Sequence, residues 1–88
     1  MNELIEMLEG FADGQKVLVR LKGNEEFILY DFELVDESIY ERSDLVMASI
    51  SDVLNSQFKY KVGTKIEISV LDVISLNDPV TEDCFFTA

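Results

Sequence analysis

Alternating hydrophobic positions between residues 17 and 34 predict two β-strands joined by a turn. In the first run, Val17, Val19 and Leu21 share one parity. Gly23-Asn24 then interrupts the pattern in the way a hairpin turn does. Successive side chains of a strand point to opposite faces, so each run offers one apolar face to a core. In the second run, the residues that we expect on that face are Ile28, Tyr30, Phe32 and Leu34.

The segment before these strands has the pattern of a short amphipathic helix over about residues 2–12. Leu4, Leu8 and Phe11 recur at helical spacing. Asp13-Gly14 ends the pattern and turns the chain. We expect the apolar stripe to cover one open end of the sheet. The alternative, a helix on a membrane surface, is disfavoured because its polar face is acidic and anionic lipid would repel it.

The second half of the chain returns to strand patterns after a polar loop at residues 37–44. Alternation covers residues 45–54 and again residues 65–76, with a short extended arm at residues 58–62 between them. A straight strand through the last run would bury Asp72, which is costly without a partner. We therefore predict a bend or helical turn near Leu71-Asp72, followed by a final short strand.

These elements predict one mainly β domain over residues 1–88. Its fold is a short N-terminal helix packed on a bent five-stranded antiparallel small barrel, with a C-terminal tail. The predicted core consists of the apolar residues whose parity or spacing agrees within each run: Leu8, Val17, Val19, Leu21, Ile28, Tyr30, Phe32, Val46, Ile50, Ile66, Ile68 and Val70.

The segment Gly14–Asn24 resembles the start of the first Sm motif of Sm-like proteins, in which a short helix precedes a valine-x-leucine-lysine type of strand and a polar turn. The resemblance implies a strongly bent barrel that often forms rings and often binds RNA. The chain has Asp36 and Glu37 without the family's asparagine, and it has Val70-Leu71-Asp72 near the place of the arginine-glycine of the second motif. No RNA-binding residue is therefore carried over, and an SH3-like barrel without Sm function fits the same pattern.

The charge of the chain is strongly acidic, at −11 over 88 residues. Such a field repels phosphate backbones, so we expect nucleic acid to be an unlikely partner and a basic protein to be a suitable one. One local patch is basic, because Lys59, Lys61 and Lys65 lie near Phe58 and Tyr60 in the sequence. One interpretation is that the two rings stack on the bases of a single-stranded nucleic acid. We favour the other, in which the two rings turn into the core and the lysines face water.

The residue types that carry most enzyme chemistry are scarce. The chain has no histidine, and its one cysteine, Cys84, allows neither an internal disulfide nor a thiolate zinc site within one chain. Carboxylates cluster in two places without the spacing of a calcium loop, and we interpret them as solvated faces. The residues are Asp36, Glu37, Glu41 and Asp44, then Asp78, Glu82 and Asp83. We expect no catalytic residue, no metal and no cofactor.

The last features of the sequence to consider bear on localisation and function. No apolar run is long enough to span a membrane, and the start of the chain is acidic where a signal peptide would be basic, so we expect a cytoplasmic protein. The sequence favours a non-enzymatic protein-interaction module that self-associates as a homo-oligomer. Phe85 and Phe86, together with Phe58 and Tyr60, are the candidate interaction residues. The alternatives are an acidic mimic of DNA that occupies a nucleic-acid-binding protein, and an Sm-like RNA-binding protein.

Overall fold

The computed structural model describes residues 3–35 and 44–88. Within these ranges, one α-helix is followed by six β-strands, with one 3₁₀ turn before the fifth strand. The elements are α1 (Glu3–Gly10), β1 (Val17–Leu21), β2 (Glu25–Leu34), β3 (Leu45–Asn55), β4 (Lys65–Ser69), the 3₁₀ turn (Val70–Asp72), β5 (Val73–Asn77) and β6 (Cys84–Thr87). The predicted mainly β class with an N-terminal helix is confirmed.

The described strands form one antiparallel sheet in the order β4-β3-β2-β1-β5-β6. This sheet is open and has six strands, so the predicted count of five and the closed barrel are wrong. The sixth strand is the tail, which pairs with β5 and extends the sheet instead of remaining irregular. The helix α1 packs on one face through Leu4, Ile5 and Leu8. No helix in the described ranges is long and apolar enough to cross a membrane.

The hairpin of β1 and β2 corrects the predicted face of β2. Its three-residue loop pairs Leu21 with Glu25, Val19 with Phe27 and Val17 with Leu29. Directly opposite residues of an antiparallel pair share a face. Because the β1 residues face the core as predicted, Phe27 and Leu29 are buried as well. The prediction for this face is therefore wrong, because Ile28, Tyr30 and Phe32 are only half-buried and Leu34 is exposed.

The strand β2 pairs irregularly with β3. Its pairing with β3 shifts register at three places, the last of them between Tyr30 and Glu33. Asp31 lies inside that irregularity with φ of 55°. Its carboxylate accepts a hydrogen bond from the backbone N–H of Gly14 at 2.7 Å. An extra residue of this kind bends a strand and re-aims its side chains, which explains why strict alternation fails along β2.

The turn between β4 and β5 confirms the expectation for Asp72. A single 3₁₀ turn covers Val70–Asp72, and the Asp72 side chain is exposed while Val70 and Val73 are buried. The Ser69 hydroxyl caps the turn by accepting the backbone N–H of Leu71 at 3.2 Å. The turn thus lets the chain pass from β4 to β5 without burying a carboxylate.

The core lies between α1 and the inner face of the sheet. Eight of the predicted core residues are buried: Leu8, Val17, Val19, Leu21, Val46, Ile50, Ile68 and Val70. Ile66 is half-buried and packs against them. Further residues are buried that the predicted core list does not include: Leu4, Ile5, Phe27, Leu29, Val35, Leu45, Ala48, Val73 and Leu76.

The C-terminal phenylalanines pack on their own molecule. Phe85 and Phe86 are half-buried in β6 and lie against the core cluster. The ring centroid of Phe85 is 5.3 Å from that of Phe11, and the Phe11 ring is in turn 5.9 Å from Phe32. These contacts join the end of the helical segment, β2 and β6.

Candidate functional site

A cleft of about 180 Å³ opens between the tip of the β1–β2 hairpin, β4 and the segment that connects β3 to β4. We call the connecting residues 56–62 the aromatic arm, because Phe58 and Tyr60 project from it. The residues that line the cleft are Leu21, Lys22, Glu25, Phe27, Phe58, Tyr60, Ile66, Glu67, Ile68, Ser69 and Asp72.

The hairpin register brings a carboxylate to the inner side of the sheet. Glu25 lies opposite Leu21 and therefore on the face that contains the core. Its Oε1 atom accepts the backbone N–H of Gln57 at 3.0 Å. Its Oε2 atom is buried and receives no hydrogen bond from any residue in the described ranges. A buried carboxylate oxygen without a donor is costly, so this atom favours any donor that reaches it.

The rings of the aromatic arm are connected to the core through Phe27. Tyr60 meets the buried ring of Phe27 edge to face, with 5.5 Å between centroids, and Phe58 continues the series at 6.3 Å from Tyr60. The exposed fraction rises from 2% at Phe27 to 39% at Tyr60 and 64% at Phe58. The favoured interpretation of the sequence, in which Phe58 and Tyr60 turn into the core, is therefore wrong.

Hydrogen bonds fix the aromatic arm at both ends. At its start, the Asn55 side-chain amide donates to the backbone oxygen of Asn24 at 2.7 Å, next to the bond between Gln57 and Glu25. At its end, the N–H of Gly63 donates to the carbonyl of Ile50 at 2.8 Å. The exposed rings are thus presented on a held segment, which lowers the conformational entropy that a partner would have to remove.

The charges that line the cleft are mainly negative. Among the described residues, the acidic members of the lining are Glu25, Glu67 and Asp72, and the one basic member is Lys22. The backbone oxygen of Asp72 accepts the N–H of Lys22 at 2.9 Å, which ties the 3₁₀ turn to the hairpin. None of these three carboxylates forms an ion pair with a described residue. The ion pairs among the described residues are Arg20–Glu26 and Lys65–Glu33, outside the cleft lining.

The candidate interaction residues divide into two places. Phe58 and Tyr60 line the cleft, whereas Phe85 and Phe86 lie in β6, outside its lining. The sequence did not single out the carboxylate of Glu25. The signal that identifies it is the loop length of the hairpin, since a three-residue turn places Glu25 on the same face as Leu21.

Of the two acidic clusters in the sequence, the structure describes only the tail cluster in full. Most of the middle-loop cluster lies outside the described residues, at positions 36–43. Among the residues that the structure describes, no group of three or more acidic or cysteine side chains is arranged to hold a metal ion. In the tail, Asp78 accepts backbone N–H groups from Thr81 and Val80, which lowers the pKa of its carboxyl. Cys84 is a free, exposed thiol.

No family model, curated protein or solved structure matches this chain. The described residues form a small open antiparallel sheet with one helix, and the cleft beside the aromatic arm is a concave site with both aromatic and charged lining.

Proposed function

We propose that this protein is a non-enzymatic protein-interaction module that binds a partner protein at the cleft and the aromatic arm. The observation that carries this proposal is the exposure of Phe58, at 64%, on an arm that is hydrogen-bonded at both ends beside a cleft. Two neighbouring side chains add to the apolar surface, since Tyr60 is 39% exposed and Val62 is 65% exposed. Contiguous exposed apolar surface beside polar groups is typical of an interaction site.

The residue types and the size of the cleft favour a protein partner. Aromatic side chains are enriched among the residues that dominate binding energy, and they act best beside a pocket from which water is excluded. The cleft, of about 180 Å³, is smaller than the roughly 300–1,000 Å³ of a site for a drug-sized molecule. It has the capacity for one long side chain of a partner, with the arm packing against the chain on either side.

A selection from a displayed library of random peptides tests this proposal. Peptides enriched on the wild-type protein should lose binding to Phe58→Ala by about tenfold or more, as expected for an aromatic anchor. The matched control is Val80→Ala, which removes a side chain that is 87% exposed outside the cleft lining. Both variants should keep wild-type stability within about 0.5 kcal/mol, since each alters an exposed residue.

Enriched peptides that bind Phe58→Ala as well as the wild type would contradict the proposal. So would a selection that yields no binding peptide at all.

A second candidate is self-association through β4, which is an end strand of the sheet and pairs only with β3 within the described ranges. An unpaired strand edge favours pairing with another chain. Antiparallel pairing of two copies centred on Ile66 would set Lys65 of one copy opposite Glu67 of the other, with both side chains on the exposed face. The tail strand β6 is the other end strand of the same sheet, and it is shorter than β4 by one residue.

Charge reversal tests the β4 contact. Light scattering across a concentration series should give a dimer for the wild type in salt that screens the charge of −11. Glu67→Lys would place lysines opposite each other and should give a monomer, while the double variant Lys65→Glu/Glu67→Lys should restore the dimer. A wild-type monomer at high micromolar concentration would contradict this contact, and so would a dimer that the Glu67→Lys variant retains.

A further inference from the structure

We infer that the cleft binds a basic side chain, lysine or arginine, presented by an extended segment of the partner protein. This inference rests on the proposed function and specifies its ligand chemistry. Three features converge on it: the imbalance of charge in the lining, the buried carboxylate oxygen of Glu25, and the ring faces of Tyr60 and Phe58.

The charge of the lining selects a cation. Among the described lining residues, the acidic Glu25, Glu67 and Asp72 outnumber the one basic residue, Lys22, and the net charge of the whole chain is −11. Glu67 lies on β4 and Asp72 on the 3₁₀ turn, so two different elements contribute acidic residues to the lining of the same cleft. A carboxylate forms its strongest hydrogen bonds with ammonium and guanidinium donors, which an apolar or acidic side chain lacks.

Glu25, one of the residues that line the cleft, supplies a buried acceptor. The bond from the Gln57 N–H occupies Oε1 and orients the carboxylate, which leaves Oε2 without a described donor. Solvent does not reach Oε2 in the free protein. Entry of a cationic donor therefore requires a small shift of the aromatic arm, whose start is tied to this same carboxylate. A charged donor that hydrogen-bonds to Oε2 removes the free-energy cost of leaving this buried acceptor unpaired.

The aromatic arm supplies the apolar part of the site. The stem of lysine or arginine is aliphatic and packs well on rings, and its charged end is attracted to an aromatic face within about 6 Å. Tyr60 is held at 77° to Phe27, which fixes the orientation of its ring beside the cleft. Lys59 and Lys61 alternate with these rings along the arm, but neither lines the cleft.

Titration with three capped pentapeptides, monitored by the backbone amide signals of the protein in NMR, tests the inference. The peptides carry lysine, arginine or norleucine as the central residue between alanines and glycines. Norleucine keeps the aliphatic stem of lysine and lacks its charge. We expect the lysine and arginine peptides to shift the signals of the cleft residues and to bind at least about tenfold more tightly than the norleucine peptide.

Two charge-matched variants separate the cleft from the general acidic field. Glu67→Gln/Asp72→Asn and Glu82→Gln/Asp83→Asn each remove two negative charges from exposed side chains, and only the first pair lines the cleft. Affinity for the lysine peptide should fall about three- to tenfold in the cleft variant and less than twofold in the tail variant. Adding Glu25→Gln to the cleft variant should weaken binding further.

The outcomes distinguish this inference from the proposed function. Equal binding of the norleucine and lysine peptides at the cleft would overturn the cation-binding inference and leave the interaction site intact. Equal losses in the two charge-matched variants would overturn it as well, because the attraction would then be only that of the net charge. A failure of every peptide to shift the cleft signals would overturn both the inference and the proposed function.

Discussion

The ring of Tyr60 meets the ring of Phe27 edge to face, at 5.5 Å between centroids and 77° between planes. Phe27 is one of the largest fully buried side chains, and Tyr60 is the half-exposed ring of the aromatic arm. The contact thus joins the core directly to the candidate binding surface. A change on the core face of β2 would therefore alter the cleft as well as the stability of the fold.

The face of β2 is tested by comparing Phe27→Ala with Phe32→Ala. Phe27 is 2% exposed, so its truncation should lower the free energy of unfolding by about 3–5 kcal/mol. Phe32 is half-buried against Phe11, and the loss there should be smaller, about 1–2 kcal/mol. Denaturant unfolding measures both values. A larger loss at Phe32 than at Phe27 would contradict the register of the β1–β2 hairpin.

The sequence predicted the strands themselves better than it predicted which way they face. In β1 only one parity is uniformly apolar, so Val17 and Val19 were assigned correctly. In β2 both parities are apolar near Phe27 and Ile28, and hydrophobicity alone does not choose between them. The choice is made by the three-residue hairpin loop, and the later irregularity at Asp31 redirects the strand again. Long-range pairing of this kind is not visible in a local pattern.

The same reason limits what the sequence shows of the cleft. Its rings were recognised as interaction candidates because Phe58 and Tyr60 lie together in the chain. Its carboxylates come from the hairpin, β4 and the 3₁₀ turn, so Glu25, Glu67 and Asp72 meet only in the folded sheet. The tail is a further long-range feature, since the sequence predicts no strand there and the structure pairs β6 with β5.

The packing of the tail predicts that truncation of Phe85 lowers the free energy of unfolding. Phe85→Ala removes a half-buried ring that contacts Phe11, and it should lower the free energy of unfolding by about 1–3 kcal/mol. Cys84→Ala, at an exposed position of the same strand, is the control and should change it by less than about 0.5 kcal/mol. Equal effects of the two substitutions would show that Phe85 does not pack on the core.

Protonation of Asp78 at low pH should destabilise the turn before β6. Backbone N–H groups of Thr81 and Val80 stabilise the ionised carboxylate, so its pKa in the folded protein is below that of an ordinary aspartate. The resulting contribution to stability is complete above the pKa of the unfolded chain, and it is lost as the pH falls through the lower pKa of the folded protein. An NMR titration should place the midpoint of Asp78 below that of a model aspartate. A midpoint at or above the model value would contradict the turn geometry.

The negative field predicts poor binding of RNA and duplex DNA at physiological salt. The net charge is −11, and Arg20 and Lys65 are already paired with carboxylates. Fluorescence anisotropy with a single-stranded RNA and a DNA duplex provides the measurement. Tight binding whose constant falls steeply with salt, and which is lost in Lys59→Gln/Lys61→Gln, would instead assign the aromatic arm to a nucleic acid strand.

The central claim, that the cleft receives a basic side chain between carboxylates and aromatic rings, is tested most directly by intermolecular nuclear Overhauser effects. With the lysine pentapeptide bound, the protons next to its ammonium group should show contacts to the ring protons of Tyr60 and Phe58. Their signals should also move upfield through the ring currents of those side chains. Contacts confined to residues outside the cleft, or a lysine side chain without contacts to either ring, would contradict the claim.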